Sequence, residues 1–298
     1  ARRNRAVTDL FEPGSVIKAL TVSAGIESGK FTKDTVIDTN PGTLRVRNHI
    51  VRDVHNYGLC DLTRLLTKSS NVAATKIALE LDNVHLYDMY HRFGFGELTG
   101  SGFPGEAPGV LPTPEGWGQV EKATLSYGYG LSVNALQLAQ AYAALADGGR
   151  LHPPRFVHEN ISAEVRSLLD PGIAHDVMLM LETVTGTGGS GTKAAVPNYR
   201  VAGKTGTARR AVAGGYEGRY VSVFAGVVPV SQPRLAAVVV VNDPRGGAYY
   251  GGLVAAPVFG AVMDDAMRLL NVPPDNLQPQ MIAGDVPTPA QFAEGVMP

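Results

Sequence analysis

The chain has 298 residues, of which 26 are Lys or Arg and 27 are Asp or Glu, so its formal net charge at pH 7 is −1. Hydrophobic residues make up 44% and charged residues 18%, which excludes a largely disordered chain. The near-zero charge argues against nucleic acid as the main partner, because nucleic-acid-binding domains are usually clearly basic. A single cysteine, Cys60, excludes an intramolecular disulfide and a cysteine-based metal cluster.

No apolar run is long enough to span a bilayer, and the longest aliphatic stretch, 235–241, predicts a buried strand. The arginine-rich N-terminus has no apolar core behind it, so no signal peptide is visible. We therefore expect either a cytosolic protein or one whose targeting segment lies outside this chain. A chain of this length suffices for one large domain or two small ones.

The first two thirds of the chain are predicted to be mainly helical. Pro13-Gly14 is a turn signal, and the apolar stretch after it ends at Gly29, which predicts a buried helix beginning near Ser15. Residues 31–60 suggest a loop with short strands, and the Gly- and Pro-rich segment 94–118 suggests an ordered loop. Further helices are predicted over 61–81 (broken at 69–71), 84–93, 135–146, 176–184 and 257–270.

Three successive strands are predicted after Pro197, over 199–208, 220–228 and 235–241, and the turns between them favour an antiparallel arrangement. Helices between an early helix and a late sheet indicate one mixed α+β domain. The Pro- and Gln-rich tail from Asn271 onward is expected to be poorly ordered.

Three short motifs carry residues suited to acyl transfer. In Ser15-x-x-Lys18, helical spacing brings a hydroxyl to an amine that can take its proton when burial keeps the amine partly neutral. The second motif, 69–71, places a hydroxyl and the Asn71 amide where a helix breaks. The third, 204–207, offers a cation, two hydroxyls and a glycine that lets a substrate backbone approach.

Each motif alone has an ordinary explanation: a helix cap with a solvated lysine, a turn, and an edge strand. The ordered triplet is far more specific, because S-x-x-K, S-D-N and K-T-G together are typical of penicillin-binding proteins and class A β-lactamases. The chain resembles the transpeptidase domain of class B penicillin-binding proteins, most of all the division-specific penicillin-binding protein 3 type. Beyond the triplet, the resemblance extends from about Arg2 to Leu270 through segments 11–15, 93–96, 104–106, 126–130, 201–208 and 242–244.

The resemblance implies a β-lactamase/transpeptidase-like α+β fold, an antiparallel sheet with helices on both faces. Ser15 would be the nucleophile that attacks a D-Ala-D-Ala stem peptide, and Lys18 its general base. Ser69 would relay a proton to the leaving amine. Asn71 would hold the substrate amide and orient Lys18, while the middle serine, Ser70, points away.

The third motif would bind the substrate carboxylate. The resemblance assigns positive potential to Lys204 and carboxylate hydrogen bonds to Thr205 and Thr207, with Gly206 between them. The backbone N–H groups of Ser15 and Thr207 would form the oxyanion hole, and losing one such donor typically costs on the order of 10²–10³ in rate. Neither a metal nor an organic cofactor is implied.

The chain departs from the family in two respects. Val16 and Ala19 stand where the family usually has Thr and Pro, and we expect altered packing and retained activity. The family domain also opens with a helix and two strands that this chain lacks, preceded by a pedestal domain and a membrane anchor. We therefore predict a transpeptidase domain over 1–272 without its opening strands, and a C-terminal tail over 273–298.

Other features are weaker. The run 186–193 resembles a phosphate-binding loop, but Thr192 precedes Lys193, which is the wrong order, so we expect a loop leading into the third motif. The seven histidines lack metal-ligand spacing and are expected to be ordinary surface or core residues. Tyr249 and Tyr250 either line the pocket for apolar substrate or β-lactam side chains or pack in the core.

The implied activity is peptidoglycan cross-linking at the division septum, with β-lactams acylating Ser15. The implied partners are stem peptides and, through regions outside this chain, other division proteins. The implied location is the periplasmic side of an inner membrane protein. Alternatives are a D,D-carboxypeptidase, a non-catalytic penicillin sensor and a serine β-lactamase. For the last, Glu106 is the nearest candidate deacylating base, but Val110 stands where an asparagine is expected.

Overall fold

The late part of the chain forms a three-stranded antiparallel sheet, and helices cover both of its faces. The structure is a computed structural model that describes residues 3–157, 164–212 and 214–277. Its helices are α1 (Arg5–Thr8), α2 (Lys18–Glu27), α3 (Leu62–Lys68), α4 (Asn71–Glu80), α5 (Asn83–Arg92), α6 (Gln119–Leu125), α7 (Ala135–Ala146), α8 (Pro171–Glu182), α9 (Gly251–Val254) and α10 (Ala256–Leu269). Short 3₁₀ turns occupy Gly14–Ile17, Pro114–Gly116 and Thr192–Ala194.

Nine strands are described, and six of them form two-stranded antiparallel pairs. They are β1 (Ile37–Asp38), β2 (Thr43–Val46), β3 (His49–Arg52), β4 (Leu59–Cys60), β5 (Arg150–Leu151), β6 (Arg166–Ser167), β7 (Ala202–Val212), β8 (Gly215–Val228) and β9 (Leu235–Asn242). β1 pairs with β4, β2 with β3 and β5 with β6, all antiparallel. The main sheet has the order β7-β8-β9, so β8 is central and β9 lies at an edge.

Side chains of β8 alternate between two hydrophobic cores, as expected for a strand covered on both faces. Val223 and Ala225 join the larger core, which α2, α7 and α8 complete. Phe224 points the other way and packs against Phe259 of α10, with ring centroids 4.8 Å apart. The prediction of an α+β fold with helices on both faces of an antiparallel sheet is confirmed.

Three element boundaries differ from the sequence prediction. α8 begins five residues early, because the Asp170 side chain accepts hydrogen bonds from the first turn and Pro171 takes the first helical position. β7 and β8 are longer than predicted and pair as a long hairpin, which includes the Gly- and Arg-rich segment that was predicted to be a turn. The helix predicted at Ser15 begins as the 3₁₀ turn and becomes α-helical only at Lys18.

The chain after α10 continues along the sheet up to residue 277. The Asp275 carboxylate accepts hydrogen bonds from the backbone N–H groups of Arg200 and Ser231, at 2.7 and 3.1 Å. Residues 278–298 of the predicted tail lie outside the described residues. No helix in the described ranges is long and apolar enough to cross a membrane.

Candidate active site

Ser15 lies in the 3₁₀ turn that leads into α2. The turn is fixed by two hydrogen bonds, Gly14 N–H to the Gly128 carbonyl at 3.1 Å and Tyr142 Oη to the Val16 carbonyl at 2.9 Å. Ser15 is half-buried, and its hydroxyl has no hydrogen-bond partner within the described part of the chain. A rigid turn therefore presents an uncommitted hydroxyl.

Lys18 joins the first motif to the second. Its side chain is fully buried, and Nζ donates to Asn71 Oδ1 at 2.7 Å, to the Ser69 carbonyl at 2.7 Å and to Ser69 Oγ at 3.1 Å. Three acceptors thus hold an amine one helical turn after Ser15. Asn71 Nδ2 in turn donates to the Arg52 carbonyl at 2.9 Å, which fixes the orientation of the amide.

The second motif is a backbone junction between α3 and α4. Ser69 ends α3 in the left-handed conformation, with φ of 62°. Ser70 caps α4, because its Oγ accepts from Ala73 N–H at 3.0 Å. Ser70 is buried and faces away from Lys18, as expected, whereas Ser69 and Asn71 face the lysine.

Asp53, which follows β3, anchors this junction and was missed by the sequence analysis. One carboxylate oxygen accepts from the backbone N–H groups of Asn71 and Val72, at 2.5 and 3.0 Å, and the other accepts from Ser70 Oγ at 2.6 Å. A carboxylate is thereby placed at the N-terminus of α4, where the helix dipole favours negative charge. No local sequence signal links Asp53 to a motif sixteen residues away.

The third motif runs along β7. Lys204 is fully buried, and Nζ donates to the Thr205 carbonyl at 3.2 Å. Thr205 Oγ1 lies 3.0 Å from Ser190 Oγ, and Thr207 Oγ1 accepts from Gly251 N–H at 2.9 Å. Ser190, from the glycine-rich run, is a second site residue that the sequence analysis missed.

Close backbone packing brings the third motif against the first. A Cβ at Gly206 would lie 2.7 Å from the Pro13 carbonyl oxygen and 3.2 Å from Val16 Cγ1. A Cβ at Gly14, whose φ is +56°, would lie 3.3 Å from the Thr207 carbonyl oxygen. Glycine is therefore required on both sides of this contact, which sets Ser15 beside 204–207.

Burial dominates the electrostatics of the two lysines. It lowers the pKa of Lys18 far below its ordinary value, repulsion by Lys204 lowers it further, and the negative charge of Asp53 opposes both effects. Burial also lowers the pKa of Lys204 to about 7. Burial therefore favours the neutral form of the Lys18 amine, which keeps two N–H donors for its three acceptors and is the form that general-base chemistry requires.

Tyr249 and Tyr250 lie next to the third motif, directly before the Gly251 N–H that binds Thr207. Tyr249 stacks on Tyr220 with ring centroids 4.1 Å apart. Tyr250 is 47% exposed, which excludes the core-packing alternative for this residue. The pair forms an accessible aromatic surface at the end of β7.

The weaker sequence features take structural roles. The run 186–193 packs on the end of α3, where Lys68 Nζ donates to the Gly188 carbonyl at 2.7 Å and Ser190 N–H donates to the Thr67 carbonyl at 3.2 Å. Glu106 accepts from Thr99 N–H and Ser101 Oγ within its own loop. Within the described ranges, His, Cys, Asp and Glu side chains form no group of three that could hold a metal ion.

The chain is similar in sequence and in fold to known proteins. Residues 1–264 match the sequence model described as the penicillin-binding protein transpeptidase domain. The chain is 43% identical over 278 residues to peptidoglycan D,D-transpeptidase FtsI of Escherichia coli K12, covering 93% of this chain and 47% of that protein. It is 41% identical over 284 residues to the probable peptidoglycan D,D-transpeptidase PbpC of Pseudomonas aeruginosa, covering 95% of this chain and 50% of that protein. The chain thus spans about half the length of these relatives.

A solved structure, the apo transpeptidase domain of Burkholderia pseudomallei penicillin-binding protein 3, is similar with a TM-score of 0.87 and 39% identity. The match covers 92% of this chain and 83% of that one. These matches confirm the resemblance on which the expected fold rested. The chain belongs to the penicillin-binding protein transpeptidase domain family.

Proposed function

We propose that the protein is a serine-type peptidoglycan D,D-transpeptidase that cross-links stem peptides during septal wall synthesis, and that β-lactams acylate it covalently at Ser15. The observation that carries the proposal is the triple hydrogen bonding of Lys18 to the Ser69 and Asn71 motif, with Lys204 buried beside it. Residues of three motifs that are far apart in sequence lie next to one another. Names of relatives that include peptidoglycan D,D-transpeptidase support the same reading.

In the proposed first step, Ser15 Oγ attacks the carbonyl carbon between two D-alanines, and its proton passes to the neutral Lys18 amine. The backbone N–H groups of Ser15 and Thr207 stabilise the resulting oxyanion. When the C–N bond breaks, the proton reaches the departing D-alanine amine through Ser69 Oγ. The product is an ester between Ser15 and the remaining peptide.

In the second step, an amine of a neighbouring stem peptide attacks the ester and releases Ser15. In the first step, Thr205 and Thr207 bind the terminal carboxylate, which leaves with the departing D-alanine, while Lys204 contributes positive potential. The Ser190 hydroxyl, 3.0 Å from Thr205 Oγ1, keeps that threonine oriented. Tyr249 and Tyr250 contact apolar groups of a substrate or β-lactam.

Intact mass after penicillin exposure, followed over hours, tests the proposal. We expect a stable adduct of one penicillin on the protein and none on Ser15→Ala, whose far-UV circular dichroism should match that of the wild type. Undiminished labelling of Ser15→Ala would refute the assignment of the nucleophile. An adduct that forms and disappears while hydrolysed drug accumulates would indicate a β-lactamase.

A β-lactamase would need a base for deacylation, and Glu106 is the nearest candidate. Both of its carboxylate oxygens accept hydrogen bonds within their own loop, which argues against this alternative. Release of D-alanine without cross-linked product would indicate a D,D-carboxypeptidase. Acylation without turnover of a D-Ala-D-Ala peptide would indicate a penicillin sensor. We further propose that residues 1–272 act as a periplasmic domain of an inner membrane protein that works with other division proteins.

A further inference from the structure

The hairpin of β2 and β3 presents two arginines on one face. Its register pairs Thr43 with Arg52 and Arg45 with Ile50, so all four side chains share a face. The opposite face carries Val46 and Val51, which are buried in a small core with Tyr127. Arg45 and Arg52 are exposed diagonal neighbours across the two strands.

These two guanidinium groups lack a counter-charge. Neither Arg45 nor Arg52 forms an ion pair within the described residues, and neither does Arg47 at the turn of the same hairpin. Arginines elsewhere are commonly paired, as in Arg92 with Glu27, Arg200 with Glu182 and Arg219 with Asp243. Diagonal neighbours lie about 7–8 Å apart, so long side chains on one face can reach the same anion, and like charges left facing each other are unfavourable.

The hairpin also borders the site. The Arg52 carbonyl accepts the hydrogen bond from Asn71 Nδ2 at 2.9 Å, and Asn71 Oδ1 accepts from Lys18. The neighbouring carboxylate, Asp53, is directed at the donors of 70–72 and forms no ion pair with Arg45 or Arg52. The two unpaired arginines therefore lie on the hairpin whose backbone contacts the Asn71 amide.

We propose that Arg45 and Arg52 together bind a carboxylate of the peptide substrate, on the part of the chain that precedes the bond attacked by Ser15. This inference rests on the proposed function, because it takes the substrate to be a peptide that ends in D-Ala-D-Ala. Arginine suits the task, since its planar fork matches a carboxylate with two parallel hydrogen bonds. The apolar Ile50 between the two charges fits a peptide chain better than a polyanion.

Two D-Ala-D-Ala peptides of equal length test the proposal, one with a free carboxylate upstream of the scissile bond and the other with that group amidated. We expect kcat/KM of the wild type to favour the carboxylate peptide by about 3- to 20-fold, the range for two exposed ion pairs, and the preference to shrink at high salt. The double variant Arg45→Gln, Arg52→Gln should process both peptides equally. Arg234→Gln, which removes another exposed and unpaired arginine at the start of β9, should keep the wild-type preference.

The ratio of the two kcat/KM values of the wild type can by itself refute the proposal. Equal values on the two peptides would mean that the upstream carboxylate makes no favourable contact. The proposal would also be refuted if the double variant lost the same fraction of kcat/KM on both peptides, because the preference for the carboxylate peptide would then persist. If phosphatidylglycerol vesicles sediment the wild type and not the double variant, while the peptide preference persists in both, the arginines serve a lipid surface and the proposal fails. Penicillin labelling of the wild type separates the two claims, because an unlabelled wild type refutes the proposed function itself. A labelled wild type with equal rates on the two peptides refutes only the carboxylate contact.

Discussion

Replacing Asp53 with asparagine removes a negative charge from the junction of α3 and α4 while keeping the shape of the side chain. The carboxylate accepts three hydrogen bonds, two from backbone N–H groups of α4 and one from Ser70 Oγ. Hydrogen bonds to a charged group contribute about 1.5–3 kcal/mol each and neutral ones about half as much. The asparagine amide also cannot accept the Ser70 hydroxyl proton on its NH₂ side. We therefore expect a loss of about 2–4 kcal/mol in the free energy of unfolding.

The same substitution should change the titration of Lys18. Asp53 is the charge that opposes the lowering of the Lys18 pKa, so its removal lowers that pKa further. The proposed mechanism requires the neutral amine for acylation, so the acidic limb of the pH profile of acylation should move to lower pH in Asp53→Asn. The maximum rate should fall at the same time, because Asn71 and Ser69 lose their anchor.

Urea denaturation and stopped-flow acylation by a chromogenic cephalosporin between pH 5 and 9 measure both effects. Asp61→Asn is the matched control, because Asp61 caps α3 through a single hydrogen bond to Arg64 N–H and does not contribute to the Lys18 pKa. Because asparagine caps a helix about as well as aspartate, Asp61→Asn should cost well under about 1 kcal/mol and leave the pH profile unchanged. An Asp53→Asn profile that stays in place or moves to higher pH would refute the electrostatic reasoning. Unchanged stability would refute the structural part.

Three further outcomes follow from the packing and charge of the site. The pKa of Lys204 is about 7 in the folded protein and near 10.5 when unfolded, so the unfolded state binds more protons between these values and stability rises with pH there. In urea denaturation, the free energy of unfolding of the wild type relative to that of Lys204→Met should rise by at most about 1.4 kcal/mol per pH unit from pH 7 to 9. A difference between the two proteins that does not change with pH would contradict the burial argument. Gly206→Ala, with its Cβ 2.7 Å from the Pro13 carbonyl oxygen, should lose about 1–3 kcal/mol and acylate slowly, whereas Gly218→Ala, with open space at its Cβ, should do neither. Tyr249→Leu should weaken acylation by β-lactams with aromatic side chains more than by those with small ones, and an equal effect on both would exclude an aromatic contact.

Local signals were enough to predict several elements at and near the three motifs. The polar run 69–71 within an apolar helical pattern correctly indicates the end of one helix and the start of another. The aliphatic stretch 235–241 correctly indicates strand β9, but this strand lies at the sheet edge and is half-buried, not buried as predicted. Both elements are predicted because chain-local chemistry, a cap in one case and β-branched strand preference in the other, determines them.

Features that depend on contacts between distant parts of the chain could not be predicted from the sequence. Asp53 and Ser190 acquire their roles only when β3 meets α4 and the glycine-rich run meets β7. The hairpin of β7 and β8 extends past its predicted ends because Tyr216 Oη reaches Glu12 at 3.0 Å and its ring packs on Tyr129. Glycine and arginine there have weak strand preference, so tertiary contact overrides the local signal.

At Ser69, the left-handed backbone conformation favours one residue for stability, and the proposed proton transfer needs another. A serine held at φ of 62° costs about 1–2 kcal/mol relative to a right-handed conformation, a strain that glycine would not carry. Glycine would also keep the Ser69 carbonyl that Lys18 contacts, and it would lose only the hydroxyl. Ser69→Gly is therefore expected to yield a protein at least as resistant to unfolding and yet deficient in proton transfer. Glycine suits the left-handed backbone best, but it lacks the hydroxyl that the proposed reaction uses.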